Sequence, residues 1–323
     1  PALSCLGMAF PLFAIINLLF LCFWLFFYWR KMWIPIAGFI LAYIPISTYM
    51  PLNPPQDVPD GSIKLMSYNV GTYHGEGNNE DTFDRILDYI SSQQADIVCI
   101  QEDVGTPKHD LMRRYSQLFP YNDTTRIAQT KMGKNSVGIH TRYPILRKER
   151  IPSPSTANGS IAYYLLTGQD TLLVINNHLE STHLSENDRR RYTNMLNGDM
   201  SSDEAKADTR KLYDKLSTAM TQRAPQAEAV HSYVMAHQDY PLILCGDFND
   251  SPISYTRHTI AQGLTDCYVG SGNGPGISFS RRGFFFRIDH MMCSSHFEPY
   301  NCRVDDQAEG SDHYPIVCWL KKR

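Results

Sequence analysis

The eight cysteines of this 323-residue chain include no CxxC pair and no Cys/His run at zinc-ligand spacing. A structural zinc module is therefore excluded. A surplus of basic residues is also missing. Thirty Lys and Arg stand against 33 Asp and Glu, giving a formal net charge of -3. A dedicated nucleic-acid binder usually shows the opposite balance, although a local basic groove can sit on an acidic protein. Internal repeats and low-complexity tracts are absent. The first 50 residues are almost without charge, with Arg30 and Lys31 the exceptions. The rest of the chain reads as a soluble domain long enough to bury a large core.

Three regions emerge from this contrast: a membrane anchor over residues 1–50, a proline-rich linker over 51–61, and a folded domain over 62–323. Residues 12–29 and 33–50 are each apolar over ~18 positions, close to the ~20 that a helix needs to cross a bilayer. Two transmembrane helices are expected, with Tyr28, Trp29, Trp33, Tyr43 and Tyr49 suited to the interfacial zones. Pro45 is placed to kink the second. A cleaved signal peptide has a shorter apolar region, and two segments in tandem fit one poorly. The chain starts with Pro1, so residues upstream of it are expected. Arg30 and Lys31 in the intervening turn prefer the cytoplasmic side, which puts the folded domain on the extracytoplasmic face. The linker reads as a stiff spacer lifting that domain off the bilayer.

Cys99, Cys245, Cys293 and Cys318 lie in apolar runs, where a thiol acts as a small core residue. Cys267 and Cys302 fall in polar surroundings, and a bridge between them is one reading.

Period-two and short apolar runs predict strands over 63–70, 96–100, 136–141, 145–151, 161–167, 171–178, 242–245, 288–293 and 314–320. Helices are expected over 81–93, with Phe83, Ile86, Leu87 and Ile90 on one face, and over 107–118. The long polar stretch 185–238 is helix-prone. Many strands with interspersed helices suggest two stacked sheets with helices on the outer faces.

Polar residues cluster just past the ends of the apolar strands, where a sheet scaffold presents functional groups. They are Asn69, Glu102, His178, Asp247, Asn249, Asp289, Asp312 and His313. Singly, each has a plain structural reading: a turn cap, a surface carboxylate, a core histidine, an N-cap. Together they do not.

The segments Ser67-Tyr68-Asn69-Val70, Gln101-Glu102, Asn177-His178-Leu179, Gly246-Asp247-Phe248-Asn249, Ile288-Asp289-His290 and Ser311-Asp312-His313 occur in this order along the chain. In this the sequence resembles the endonuclease/exonuclease/phosphatase superfamily over roughly residues 62–320. The resemblance implies a four-layer α/β sandwich, two packed mixed β-sheets flanked by helices. It also implies divalent-metal-dependent hydrolysis of a phosphoester, most often a diester, by nuclease, sphingomyelinase-like or phosphatase chemistry. Glu102 would be the main ligand of Mg²⁺, or Mn²⁺, assisted by Asn69 and Asp312. Asp247 would orient or deprotonate the attacking water, and Asn249 would hold phosphate or water. His313, oriented by Asp289, would act as a second acid/base or phosphate donor. His178 would contact phosphate oxygens.

A monomer acting on a lipid head group, a nucleic acid or a small molecule is expected, with no choice among the three. The alternative is a catalytically silent binding module on the same anchor. Arg223 and Gln226 are read as supporting residues. Val70-Gly71-Thr72-Tyr73-His74 lacks the extra acidic ligand of some relatives, which puts a second metal in doubt. The arginines at 189–191 and 281–282 read as a solvated helix face and turn, and Phe284-Phe285-Phe286 as a core strand.

Overall fold

The computed structural model describes residues 7–73, 81–105, 110–130, 133–182, 184–197, 199, 201–281 and 284–323. In chain order its strands are β1 (Ile63–Asn69), β2 (Ile97–Gln101), β3 (Tyr121–Thr130), β4 (Gly133–Thr141), β5 (Ile145–Ile151), β6 (Gly159–Thr167) and β7 (Asp170–His178). They continue as β8 (Leu242–Asp247), β9 (Thr265–Asp266), β10 (Phe279–Arg281), β11 (Phe284–Phe286), β12 (Asp289–Cys293), β13 (Phe297–Val304) and β14 (Ile316–Lys322). The helices are α1 (Phe10–Phe27), α2 (Trp33–Leu41), α3 (Tyr43–Tyr49), α4 (Thr82–Ser92), α5 (Leu111–Leu118), α6 (Glu186–Asn197), α7 (Ser202–Ala236), α8 (Tyr255–Ile260) and α9 (Cys267–Ser271).

Two six-stranded mixed sheets result, ordered β13-β14-β1-β2-β4-β3 and β5-β6-β7-β8-β12-β9. Each has one parallel pair at its centre, β1 with β2 and β7 with β8. Alternation along each strand builds the layers. Leu65 faces the inter-sheet core with Ile97, Cys99, Val174 and Cys245, whereas its neighbour Met66 packs outward with Phe83, Ile86 and Ile90 of α4. On the other side Leu173 and Ile175 meet Ala227, Val230 and Val234 of α7. The architecture is helix, sheet, sheet, helix.

The inter-sheet core is not wholly apolar. Gln101 donates to Asn176 across the sheets at 2.6 Å and to Ser67 at 3.1 Å. Asn176 in turn donates to the carbonyls of Ile100 and Gly138. Both side chains are fully buried. The Asn176 amide is paired on both its oxygen and its nitrogen, as burial demands, whereas Gln101 Oε1 has no hydrogen-bond partner among the described residues.

α1 is 18 residues long, ~27 Å at the helical rise, and is long and apolar enough to cross a membrane. The second apolar segment is bent, in keeping with the kink expected from Pro45. α2 and α3 meet at a 62° bend. The break falls at Ala42 because Pro45 has no N–H to give the carbonyl of Leu41 and its ring crowds that turn.

The linker differs from expectation. Leu52 bridges to Asn273, Asn53 donates to the carbonyls of Val269 and Gly272, and Gln56 exchanges two bonds with Asn301. Residues 51–61 run along the folded domain rather than standing off it. Cys267 and Cys302 are buried free thiols, and no bridge joins them.

Candidate active site

Strand register brings the polar residues together. In the first sheet Asn69 and Gln101 are partners at the ends of β1 and β2, so Glu102 emerges beside Asn69. In the second, His178 is the partner of Asp247, and Asp247 the partner of Asp289. Three functional side chains thus form one row across β7, β8 and β12. His313 reaches the same place from the chain before β14, through a bridge to Phe279. Glu102, His178, Asp247, Asn249, Asp312 and His313 all line one cleft.

Close backbone approach shapes this edge. Gly246 has φ 131°, and a Cβ there would lie 2.0 Å from the carbonyl oxygen of Asn177, so no side chain fits. Asn249 and Glu102 both occupy the left-handed region, at φ 52° and 56°, a costly conformation for such residues that is typical of functional loops. Phe248, next to Asn249, is buried and packs its ring on His290.

Asp289 accepts from His313 Nδ1 at 2.9 Å, which leaves Nε2 facing Asp247 Oδ2 at 3.8 Å. The backbone of Asp289 is fixed by its amide, which donates to Ser278 Oγ. Its second carboxylate oxygen, Oδ1, is buried with no hydrogen-bond partner among the described residues. Asp247 Oδ1 accepts the Asn249 amide at 2.7 Å, and Oδ2 accepts side-chain N–H groups of Asn69 and Asn249. His178 Nδ1 meets Asn135 Oδ1 at 3.1 Å. The amide nitrogen of Asn135 donates to Ala157 O, so Oδ1 is the acceptor and His178 Nδ1 carries the proton. His178 Nε2 then faces Glu102 and Asp247, each at 3.8 Å.

These contacts set the protonation states. Burial, then the neighbouring Asp289, pushes the Asp247 carboxyl up to about 6, against the pull of His313 and His178. Burial opposes charge on His313, but Asp289 and Asp247 overcome it and raise the imidazole to about 10. Burial also raises Glu102, offset by His313 and the Asn69 amide. Carboxyl and imidazole therefore stand in opposite protonation states across a broad neutral range, as an acid/base pair requires.

Asp247, Asp289 and His313 offer ligand atoms within 4.8 Å of one another. The oxygens of Glu102 and Asp312 lie in the same cleft, whose described lining carries no thiol. This oxygen-rich set suits a hard divalent cation. Two of the three expected metal ligands are differently engaged. Asn69 Oδ1 accepts from the Gly71 amide at 3.1 Å, so Asn69 turns its NH₂ to Glu102 and Asp247. Asp312 Oδ2 takes a hydrogen bond from Arg281 at 2.9 Å and lies 4.0 Å from Arg189.

Arg189 and Arg281 line the cleft and are not the solvated face and turn expected of them. A linear run of charge cannot show which face a helix turns inward. Nor is 284–286 a core strand. Phe284 and Phe286 line the cleft from a two-stranded ribbon, β10 with β11, and Phe285 is exposed. Arg223 is buried against Asp250 and holds the Glu180 carbonyl beyond His178, and Gln226 accepts from the Glu180 amide. His74 lies outside the described residues.

Sequence reasoning passed over Arg287. It is buried and donates to the carbonyls of Thr48, Tyr49 and Pro275, tying the end of α3 to the strand that carries Asp289. Its position two residues before that aspartate was the available signal.

Residues 66–313 match the model of the Endonuclease/Exonuclease/phosphatase family, and residues 1–49 match a domain of unknown function. No curated protein matches the chain. Among solved structures, the human Nocturnin catalytic domain with bound sulfate anion is similar over 83% of this chain and 97% of that one, at 16% identity and a TM-score of 0.57. An endonuclease/exonuclease/phosphatase from Bacteroides vulgatus is similar over 82% and 100%, at 14% identity and a TM-score of 0.56. D. rerio TDP2 complexed with single strand DNA product is similar over 81% and 100%, at 15% identity and a TM-score of 0.54. At such identities the likeness carries the fold alone.

Proposed function

Because the chain belongs to the Endonuclease/Exonuclease/phosphatase family, we propose that it is a divalent-metal-dependent phosphoesterase held at a membrane by its N-terminal helices. The observation that carries this is the convergence of Glu102, His178, Asp247 and His313 on one cleft from both sheets, with Asp289 behind His313. Glu102 would hold Mg²⁺ or Mn²⁺, with Asp312 assisting through the oxygen that Arg281 leaves open. Asn69, its NH₂ turned to Glu102 and Asp247, would position those carboxylates. Such an ion supplies charge neutralisation at the phosphoryl oxygens when bound.

The protein's own groups do the rest. Asp247, deprotonated above about 6, accepts a proton from the attacking water, which the Asn249 side chain helps to place. His313, protonated below about 10, donates to the developing negative charge or to the departing oxygen. Asp289 keeps His313 charged and oriented. His178 and the arginines of the cleft meet non-bridging oxygens. α1 serves as the anchor, with α2 and α3 as a bent second crossing. The Arg30-Lys31 turn on the cytoplasmic side puts the catalytic domain outside.

The test is hydrolysis of bis-p-nitrophenyl phosphate by the purified full chain in detergent, with Mg²⁺ or Mn²⁺ and with EDTA. Metal-dependent turnover that Glu102→Gln abolishes supports the assignment. No turnover of any diester or monoester under either metal would overturn it and favour a silent binding module.

A further inference from the structure

The apolar helices do not merely precede the catalytic domain; the first starts at its active-site cleft and the last ends on Arg287, two residues before Asp289. Gly7, at the start of the long apolar helix Gly7–Phe27, lies against the loop that follows Asp247 and Asn249. A Cβ on Gly7 would sit 3.2 Å from Ile253 and 3.7 Å from Ser251 Oγ. Met8 lines the catalytic cleft itself. At the other end of the helical hairpin, Arg287 binds the Thr48 and Tyr49 carbonyls, and Tyr49 OH donates back to Gly7 O at 2.8 Å. α1 at ~27 Å uses nearly the whole ~30 Å hydrocarbon thickness. Its first turn therefore stands at the head-group level, and the cleft stands there with it.

The cleft has the composition that this location calls for. Met8, Phe279, Phe284 and Phe286 give it an apolar wall, and Arg189 and Arg281 give it two cations. A nucleic-acid strand would need a longer run of Lys and Arg to follow its backbone, and these two are the Lys and Arg side chains among the described lining residues. An amphiphile needs what is present: charge for one phosphate and apolar surface for what adjoins it.

We infer that the substrate is a lipid phosphoester embedded in the same bilayer as the enzyme, presented at the interface to a cleft whose rim is the anchor helix. This rests on the phosphoesterase reading above and specifies its substrate class. The oxygen of water bonds to phosphorus as the P–O bond to the alcohol breaks. One water proton passes to Asp247, and the departing oxygen takes the proton of His313, so no oxidant or co-reactant is required.

The experiment uses the full chain reconstituted in vesicles of phosphatidylethanolamine, phosphatidylglycerol, phosphatidic acid and sphingomyelin with Mg²⁺ or Mn²⁺. Release of phosphorylated head group or inorganic phosphate is followed beside turnover of bis-p-nitrophenyl phosphate. The expected result is metal-dependent lipid turnover, absent in Glu102→Gln. Its rate follows the mole fraction of the substrate lipid and does not change when enzyme-free vesicles are added. Met8→Glu should lower the ratio of lipid to soluble-diester turnover by roughly tenfold, the affinity equivalent of one buried apolar side chain.

Turnover of the soluble diester with none of any lipid, an unchanged ratio in Met8→Glu, or preferential cleavage of added DNA or RNA would overturn the lipid assignment and leave the phosphoesterase standing. Loss of turnover on every substrate would strike the phosphoesterase reading instead.

Discussion

Replacing Asp289 by Asn tests the acid/base pair directly. The change keeps the shape of the side chain and removes one charge 2.9 Å from His313 Nδ1. At an effective dielectric of ~20 a unit charge at that distance is worth at most ~6 kcal/mol, roughly 4 pH units. Burial opposes charging of His313 and Asp247 still supports it, so a fall of roughly 2 units is the expectation.

The signs depend on which form works. Activity should rise as pH climbs through about 6, where Asp247 loses its proton, and fall through about 10, where His313 loses its own. Asp289 raises both groups, so Asp289→Asn should move both limbs to lower pH, the alkaline limb further. The window slides downward and narrows. The assay is kcat/KM for a soluble diester over a buffered series bracketing both limbs, at saturating metal. An alkaline limb that stays near the wild-type position would refute the coupling of Asp289 to His313, whatever the loss in rate.

Further outcomes can be checked in the same preparation. Glu102→Gln should weaken metal binding, read by isothermal titration, and lower kcat by ~10²-fold or more while the melting temperature of the metal-free protein holds. Arg281→Ala should raise KM more than it lowers kcat, since its guanidinium faces the cleft beside Asp312. Arg287→Ala leaves the buried Thr48 carbonyl without its donor and should cost about 2 kcal/mol in a chemical melt; a loss within error would show the clamp to be idle. A phosphatase fused after Arg323 should be active in cells if the domain is outside, and silent if it is cytoplasmic.

Much of this molecule is legible along the chain, for identifiable reasons. β1, β2, β7, β8 and β12 are apolar runs with polar residues at one end. A neighbour at matched register then brings those ends together, as with His178 and Asp247. The strands that sequence reasoning passed over include β3 and β13. β3 is polar along most of its length, and β13 carries Pro299; both are edge strands, where water satisfies one side and no apolar pattern is required.

Other features depend on partners far away in sequence. The linker hugs the domain because Gly272 and Asn301 meet it, and neither is adjacent in the chain. The inward turn of Arg189 comes from how α6 sits over the cleft. The engagement of Asp312 with Arg281 is likewise tertiary, and a motif cannot show that a carboxylate is already spoken for.

The buried amides between the sheets have a consequence for redesign. Glu102 follows Gln101 by one position and His178 follows Asn176 by two, so the Gln101–Asn176 bond acts as a dowel between the halves of the machine. Loops around the mouth can be exchanged without moving that peg. An apolar swap at the peg could preserve melting temperature while letting the two halves slip out of alignment. Libraries that aim at new specificity should therefore vary the rim and leave these two amides untouched.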